Sequence, residues 1–110
     1  MPTGPNLRGR ALGYLARREH SRLELEKKLT PYASTVEELS SMLDLLERDG
    51  FLSAERMVEQ IVHIRRNRFG SRRIVYELQQ KGIDEELISA VLPRLKETEL
   101  EAARTVWRKK

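Results

Sequence analysis

The chain has 110 residues, of which 39% are hydrophobic, 35% charged and only 5% aromatic, with a formal net charge of +4 and no cysteine. That apolar content suffices for one domain or for two small units sharing a core, while the missing cysteines exclude a disulfide framework and a thiolate zinc site. No apolar run approaches the roughly 18 residues needed to span a bilayer, and Met1-Pro2-Thr3-Gly4-Pro5-Asn6 lacks the apolar stretch of a secretory signal, so a cytoplasmic protein is expected.

Residues 1–6 read as a short disordered lead. Leu7, Ala11, Tyr14 and Leu15 keep helical spacing and predict a first helix over roughly 7–18. Ser21 is placed to cap a second helix, with Glu24 completing a capping-box pattern. That helix buries Leu25 and Leu29 and ends near Thr30-Pro31, because the residue before a proline is pushed out of the α region. Thr35 and Glu38 open a third helix whose predicted buried stripe is Val36, Leu39, Leu43 and Leu46, joined by Met42. Gly50 ends it at the usual left-handed position.

The plan then repeats. Ser53 begins a fourth helix with Met57, Ile61 and Ile64 on its stripe and Val58 and Val62 beside it. Gly70 breaks that helix, and Ser71 starts a fifth that buries Ile74, Val75 and Leu78. After Gly82, Asp84 caps a sixth helix with Ile88, Val91, Leu92 and Leu95 inward, where Pro93 should kink the axis or shift its hydrogen bonds. A seventh helix is expected from about Glu99, carrying Leu100, Ala103, Val106 and Trp107. No segment shows strand alternation. The fold class is all-α, built from tandem three-helix repeats: residues 7–52, residues 53–97, and the first helix of a third unit over 98–110.

Residue echoes mark the repeat. Arg8, Arg56 and Arg104 are spaced by 48, as are the pairs Arg17-Arg18 and Arg65-Arg66, and Val36-Glu37-Glu38-Leu39 returns as Asp84-Glu85-Glu86-Leu87. Glu24-Leu25-x-x-Lys28 returns as Glu77-Leu78-x-x-Lys81 at a spacing of 53, which implies intervening loops that differ by five residues. Periods of this size belong to stacked repeat proteins that act through an extended surface. Charge alternates in phase. Residues 1–34 carry seven basic and three acidic groups, residues 35–59 two and seven, residues 60–81 six and one, and residues 82–101 two and six, before four more basic groups over 102–110. Basic and acidic faces suit an anionic or charge-patterned partner.

Arg65, Arg66, Arg68, Arg72 and Arg73 place five guanidiniums in nine residues, with no acid between Glu59 and Glu77. Arginine offers a planar fork for phosphates and carboxylates. Arg17, Arg18 and Arg22 mirror the cluster in the first unit. Arg72, Tyr76, Gln79 and Gln80 fall along one side of the fifth helix, a row that suits nucleic acid or another protein equally. Nothing supports catalysis: His20 and His63 lack metal-ligand partners at useful spacing, no phosphate-binding glycine loop is present, and Glu37-Glu38 and Glu85-Glu86 fit helix first turns better than acid–base work. No metal, no cofactor and no enzyme activity are expected.

Three stretches resemble the RecX family of regulatory proteins. They are Ala11-Leu12-x-Tyr14-Leu15-Ala16-Arg17-Arg18-Glu19-His20-Ser21-Arg22-x-Glu24-Leu25-x-x-Lys28-Leu29, Asp49-Gly50-Phe51-Leu52-Ser53-x-Glu55-Arg56, and Gly70-Ser71-x-Arg73-Ile74-x-x-Glu77-Leu78-x-x-Lys81-Gly82-Ile83. Together they cover about residues 10–90 in the family's order. The resemblance implies a small all-α protein of three tandem three-helix repeats that binds in the groove of the RecA–DNA filament. It further implies inhibition of ATP hydrolysis, strand exchange and co-protease activity in the recombination, repair and SOS setting, with single- or double-stranded DNA as a further candidate partner.

Charge clustering and motif position then give an expected contact set of Arg17, Arg18, Arg22, Arg65, Arg66, Arg68, Arg72 and Arg73, with Lys28 and Lys81 as secondary contacts. A stand-alone helix-turn-helix-like DNA-binding module is the competing reading. The chain departs from the family pattern in two places: only the first helix of the third repeat is expected, and Ser53-Ala54 stands where the family often carries acids. A monomer is expected, with self-association if the last helices lack their cover.

Overall fold

The first amides of a helix have no partner within it, so a side-chain oxygen placed just ahead fixes where the helix begins. In the computed structural model, which describes residues 6–108 apart from the side chains of residues 102 and 105–108, such oxygens open four of the helices. Asn6 Oδ1 accepts from the Gly9 amide at 2.7 Å and starts α1 (Leu7–Arg17), so Asn6 belongs to the fold and not to a lead. The lead over 1–5, the packing of Trp107 and the lysines at 109–110 lie outside the described residues.

Ser21 heads α2 (Arg22–Leu29) with a complete capping box, its hydroxyl accepting from Glu24 N at 3.2 Å while Glu24 accepts from Ser21 N at 3.0 Å. Pro31 follows in a short 3-10 turn over Thr30–Tyr32. Thr35 opens α3 (Val36–Arg48), but the Glu38 carboxylate reaches past it to the Ser34 amide at 2.9 Å, so the expected box closes one residue early. Ser53 accepts from Arg56 N at 3.2 Å ahead of α4 (Ala54–Arg65). By contrast, α5 (Ser71–Gln80) starts at Gly70 and has no side-chain cap.

Two helices end by the same device. Gly50 (φ 82°) follows α3 and Gly82 (φ 74°) follows α5, both in the left-handed region that glycine enters without Cβ strain. In each, the amide after the glycine bonds back to a carbonyl five residues earlier, Phe51 N to Leu46 O at 2.9 Å and Ile83 N to Leu78 O at 3.1 Å, which is the Schellman pattern.

The helix starts also locate the repeat. Asn6 and Ser53 are 47 residues apart, and Ser21 and Gly70, like Thr35 and Asp84, are 49 apart. The 53-residue echo of Glu-Leu-x-x-Lys is therefore not a loop effect. Glu24 is the third residue of α2 and Glu77 the seventh of α5, so the motif sits one helical turn deeper in the second unit.

The last element departs most from expectation. Residues Glu85–Arg108 form one helix, α6, of 24 residues, and no separate helix starts at Glu99. Pro93 lacks the N–H that would bond the Ser89 carbonyl, but both residues are exposed, so water can serve that carbonyl. Beyond Pro93 the sequence holds no glycine or second proline to stop the helix.

The chain divides within α4 into two compact units, between Met57 and Val58. In the first, Ala11, Leu25, Leu29, Leu39, Leu43, Leu46 and Leu52 form the core, with Leu7, Leu12, Tyr14, Leu15, Ala33 and Met42 packed against it. In the second, Val58, Ile61 and Val62 of α4, Ile74 and Leu78 of α5, Ile83, and Ile88, Val91 and Leu95 of α6 are buried. Val75 and Leu92 are only half-buried. Leu100 of α6 is 52% exposed, and on the expected α3 and α4 stripes two residues fall outside altogether: Val36 is 78% exposed and Ile64 53% exposed. Each lies in a terminal turn, where helical periodicity continues but the neighbouring packing does not. Leu43→Ala should accordingly cost about 2–5 kcal/mol, whereas Val36→Ala should stay within about 0.5 kcal/mol, as read from urea unfolding midpoints.

Candidate functional site

The arginines separate into braces and free groups. Arg18 pairs with Glu24 at 2.8 Å, and Arg65 pairs with Glu77 at 3.0 Å. Both acids come from the repeated Glu-Leu-x-x-Lys motif, so the motif's glutamate ties one member of each tandem arginine pair to the following helix. The other members, Arg17 and Arg66, are exposed and make no ion pair among the described residues. Each doublet thus supplies one structural and one available guanidinium. The sequence carried that signal in the matched echoes, but the division of labour needed the geometry.

Arg22 is a brace of a stronger kind. Its guanidinium meets Asp44 at 2.7 Å, Glu26 at 3.3 Å, the Glu47 carboxylate, and the carbonyl and hydroxyl of Ser40 at 3.2 Å each. Burial pulls its pKa down, but the hydrogen bonds with Glu47, Asp44 and Glu26 outweigh that and raise it above the ordinary arginine value. Every donor direction is used within the first unit, linking α2 to α3. Another internal pair, Arg94–Glu59 at 2.8 Å, is exposed, and its hydrogen bond lowers the Glu59 pKa.

Lys28 also points inward. Its ammonium lies 2.9 Å from His20 Nε2 and 4.7 Å from the Tyr14 ring centroid. His20 is 1% exposed, and its Nδ1 lies 3.0 Å from the Arg18 carbonyl oxygen. A carbonyl only accepts, so Nδ1 carries the proton, and Nε2 is left bare to accept from Lys28. Burial lowers the His20 pKa, helped by Arg18 and Lys28 and opposed by the Arg18 carbonyl and Glu24. Lys81, half-buried, is likewise engaged within the fold.

The remaining arginines gather at the α4–α5 turn. Arg66, Arg68, Arg72 and Arg73 are all exposed, and none forms an ion pair among the described residues. The Arg73 guanidinium stacks 4.0 Å from the Phe69 ring centroid, and Arg65 approaches the same ring at 5.8 Å. Phe69, a residue the arginine count alone does not single out, therefore orients part of the cluster. Arg72 and Arg73 sit in the first turn of α5, where the helix dipole disfavours cations by a few tenths of a kcal/mol or more. The anion in front of that turn is Glu99 of α6, whose carboxylate accepts from the Ser71 hydroxyl at 2.9 Å. Along α5, Arg72, Tyr76, Gln79 and Gln80 are exposed as one row.

Among the described residues, no group of three His, Asp or Glu side chains could hold a metal ion, and no helix is long and apolar enough to cross a membrane. These features define a helical repeat protein with a cluster of exposed guanidiniums that form no ion pair among the described residues. Residues 55–92 match the family model for the second three-helix domain of RecX. The chain is 43% identical to the regulatory protein RecX of Ralstonia pickettii, an alignment covering all of this chain and 70% of that protein. It is 49% identical to that of Leptothrix cholodnii, over 96% of this chain and 67% of the relative, and 46% identical to that of Herbaspirillum seropedicae, over 100% and 72%. The chain belongs to the RecX family of regulatory proteins. No solved structure is a significant match.

The His20–Lys28 contact has a pH signature. A histidine whose folded pKa is depressed below 6.5 binds its proton more readily unfolded, so stability falls as pH drops from about 6.5 toward the folded value and is unaffected above that window. Urea midpoints between pH 7.5 and pH 5 should show this loss, and His20→Gln, which keeps an acceptor for Lys28, should flatten it.

Proposed function

We propose that this chain binds the RecA–DNA filament and restrains its ATPase, strand-exchange and co-protease activities, with residues 7–52 and 53–97 as successive repeats. The observation that carries the reading is the set of four exposed guanidiniums, Arg66, Arg68, Arg72 and Arg73, which have no carboxylate partner among the described residues in a chain whose relatives are RecX regulators. Unpaired arginine forks are poised for phosphates and carboxylates, and a nucleoprotein filament presents both. Arg17 is the corresponding free group of the first unit. Arg18, Arg22 and Arg65 serve this surface by holding helices in place, and Lys28 and Lys81 are secondary.

A second reading, direct binding of duplex DNA by α5 and α6, draws on the exposed row of Arg72, Tyr76, Gln79 and Gln80. It requires tight duplex binding without RecA and a steep loss of affinity with salt.

Co-sedimentation with RecA–single-stranded DNA filaments, paired with RecA ATPase assays, tests the proposal. Replacing Arg66, Arg68, Arg72 and Arg73 together by alanine should weaken filament binding by about a hundredfold and relieve ATPase inhibition without lowering the melting temperature. Arg22→Ala should instead destabilise the fold. Equal binding by the quadruple variant removes the site, and an ATPase rate untouched by excess wild-type protein removes the function.

A further inference from the structure

Glu99 has no part in the core, yet it lies in the middle of the arginine turn. Its Oε2 accepts a hydrogen bond from the Ser71 hydroxyl at 2.9 Å, and its Oε1 would lie 3.0 Å from a Cβ built on Gly70. Gly70 leaves the space in which the carboxylate sits, and it also leaves α5 without a side-chain cap of its own. No acid occupies the first turn of α5. The carboxylate in front of it therefore comes from α6, six residues beyond Pro93, and stands beside Ser71-Arg72-Arg73. Arg72 directly follows Ser71, so its backbone lies within about a Debye length of 8–10 Å of that carboxylate, close enough to share its field at cellular ionic strength.

We propose that Glu99, held beside this turn without an ion pair to any of its arginines, is an intramolecular counter-anion whose charge opposes nucleic-acid phosphates at the Arg66–Arg68–Arg72–Arg73 surface, so that removing or displacing it strengthens strand binding. The inference rests on that surface being the contact site and adds its regulation. Phosphates are the favoured competitor because the same side of α5 offers the exposed Tyr76 ring and the amides of Gln79 and Gln80, which stack on and bond to bases. Glu99 suits the role because it is exposed and its carboxylate ends a flexible chain, so displacement costs no core packing. A purely structural cap would behave differently. It would contribute to the stability of α5 and leave the charge dependence of binding untouched.

Three single variants separate these behaviours, using a fluorescently labelled oligo-dT strand titrated across a potassium chloride series. Glu99→Gln keeps an acceptor for Ser71 and removes the charge, so affinity should rise several-fold at low salt and the slope of log K against log salt should steepen by about 0.7, the value of one more phosphate on a single strand. Gly70→Ala keeps the charge but crowds the carboxylate out, and should give a smaller gain in the same direction. Glu97→Gln, the same charge change at an exposed α6 position with no contact to the turn, should change neither quantity appreciably. If Glu99→Gln matches Glu97→Gln, only net charge matters and the counter-anion is overturned. If the quadruple arginine variant weakens binding while Glu99→Gln does not strengthen it, this inference fails and the contact site stands. Binding unchanged by the arginine substitutions, or undetectable for every variant, overturns both.

Discussion

Helices of 8 to 13 residues do not persist in water by themselves, and five of the six α-helices among the described residues are that short. Tertiary burial must hold them, and in the first unit it is supplied by a small set of leucines with an alanine at the close approach of α1. Everything else follows from that constraint. A core this small leaves little tolerance for sliding, so helix register is fixed where caps open α1 to α4, where Schellman turns end α3 and α5, and where charged braces cross between helices.

The braces explain how a protein so rich in arginine can be both stable and available for binding. Surface ion pairs usually contribute little, but a guanidinium held by several oxygens at once, as Arg22 is, fixes geometry as well as charge. The Arg18–Glu24 and Arg65–Glu77 pairs do the same at the α1–α2 and α4–α5 junctions. Once those partners are committed, the basic excess of residues 60–81 is concentrated on Arg66, Arg68, Arg72 and Arg73.

Much of this was legible in the sequence. Ser21, Thr35, Ser53, Gly50 and Gly82 announced their helix ends because capping is local chemistry, and the leucine spacing of α3 announced its buried face. What escaped was tertiary. Val36 keeps the periodicity of Leu39 and Leu43, yet periodicity cannot say where the covering helices stop. The sequence suggested a kink or shifted hydrogen bonds at Pro93 and a new helix at Glu99, but α6 runs on as one helix, because the effect of a proline depends on whether water reaches the freed carbonyl. Charge counting could not tell Arg22 from Arg66, since the difference lies in acids 22 and 25 residues away in the chain. Glu99 was hidden for the same reason, being 28 residues from the serine it meets.

Pro93 carries a dynamic consequence. By removing one bond from the backbone ladder of α6, it sets a weak point between an early and a late stretch of a 24-residue helix. The first is anchored by Ile88 and Val91, whereas beyond Leu95 none of the described side chains is buried. Amides of the second stretch should exchange with solvent through local opening at a free energy well below that of global unfolding. The Glu99–Ser71 contact then belongs to the part of the unit that opens first, while the packing of α5 against the early turns of α6 stays intact.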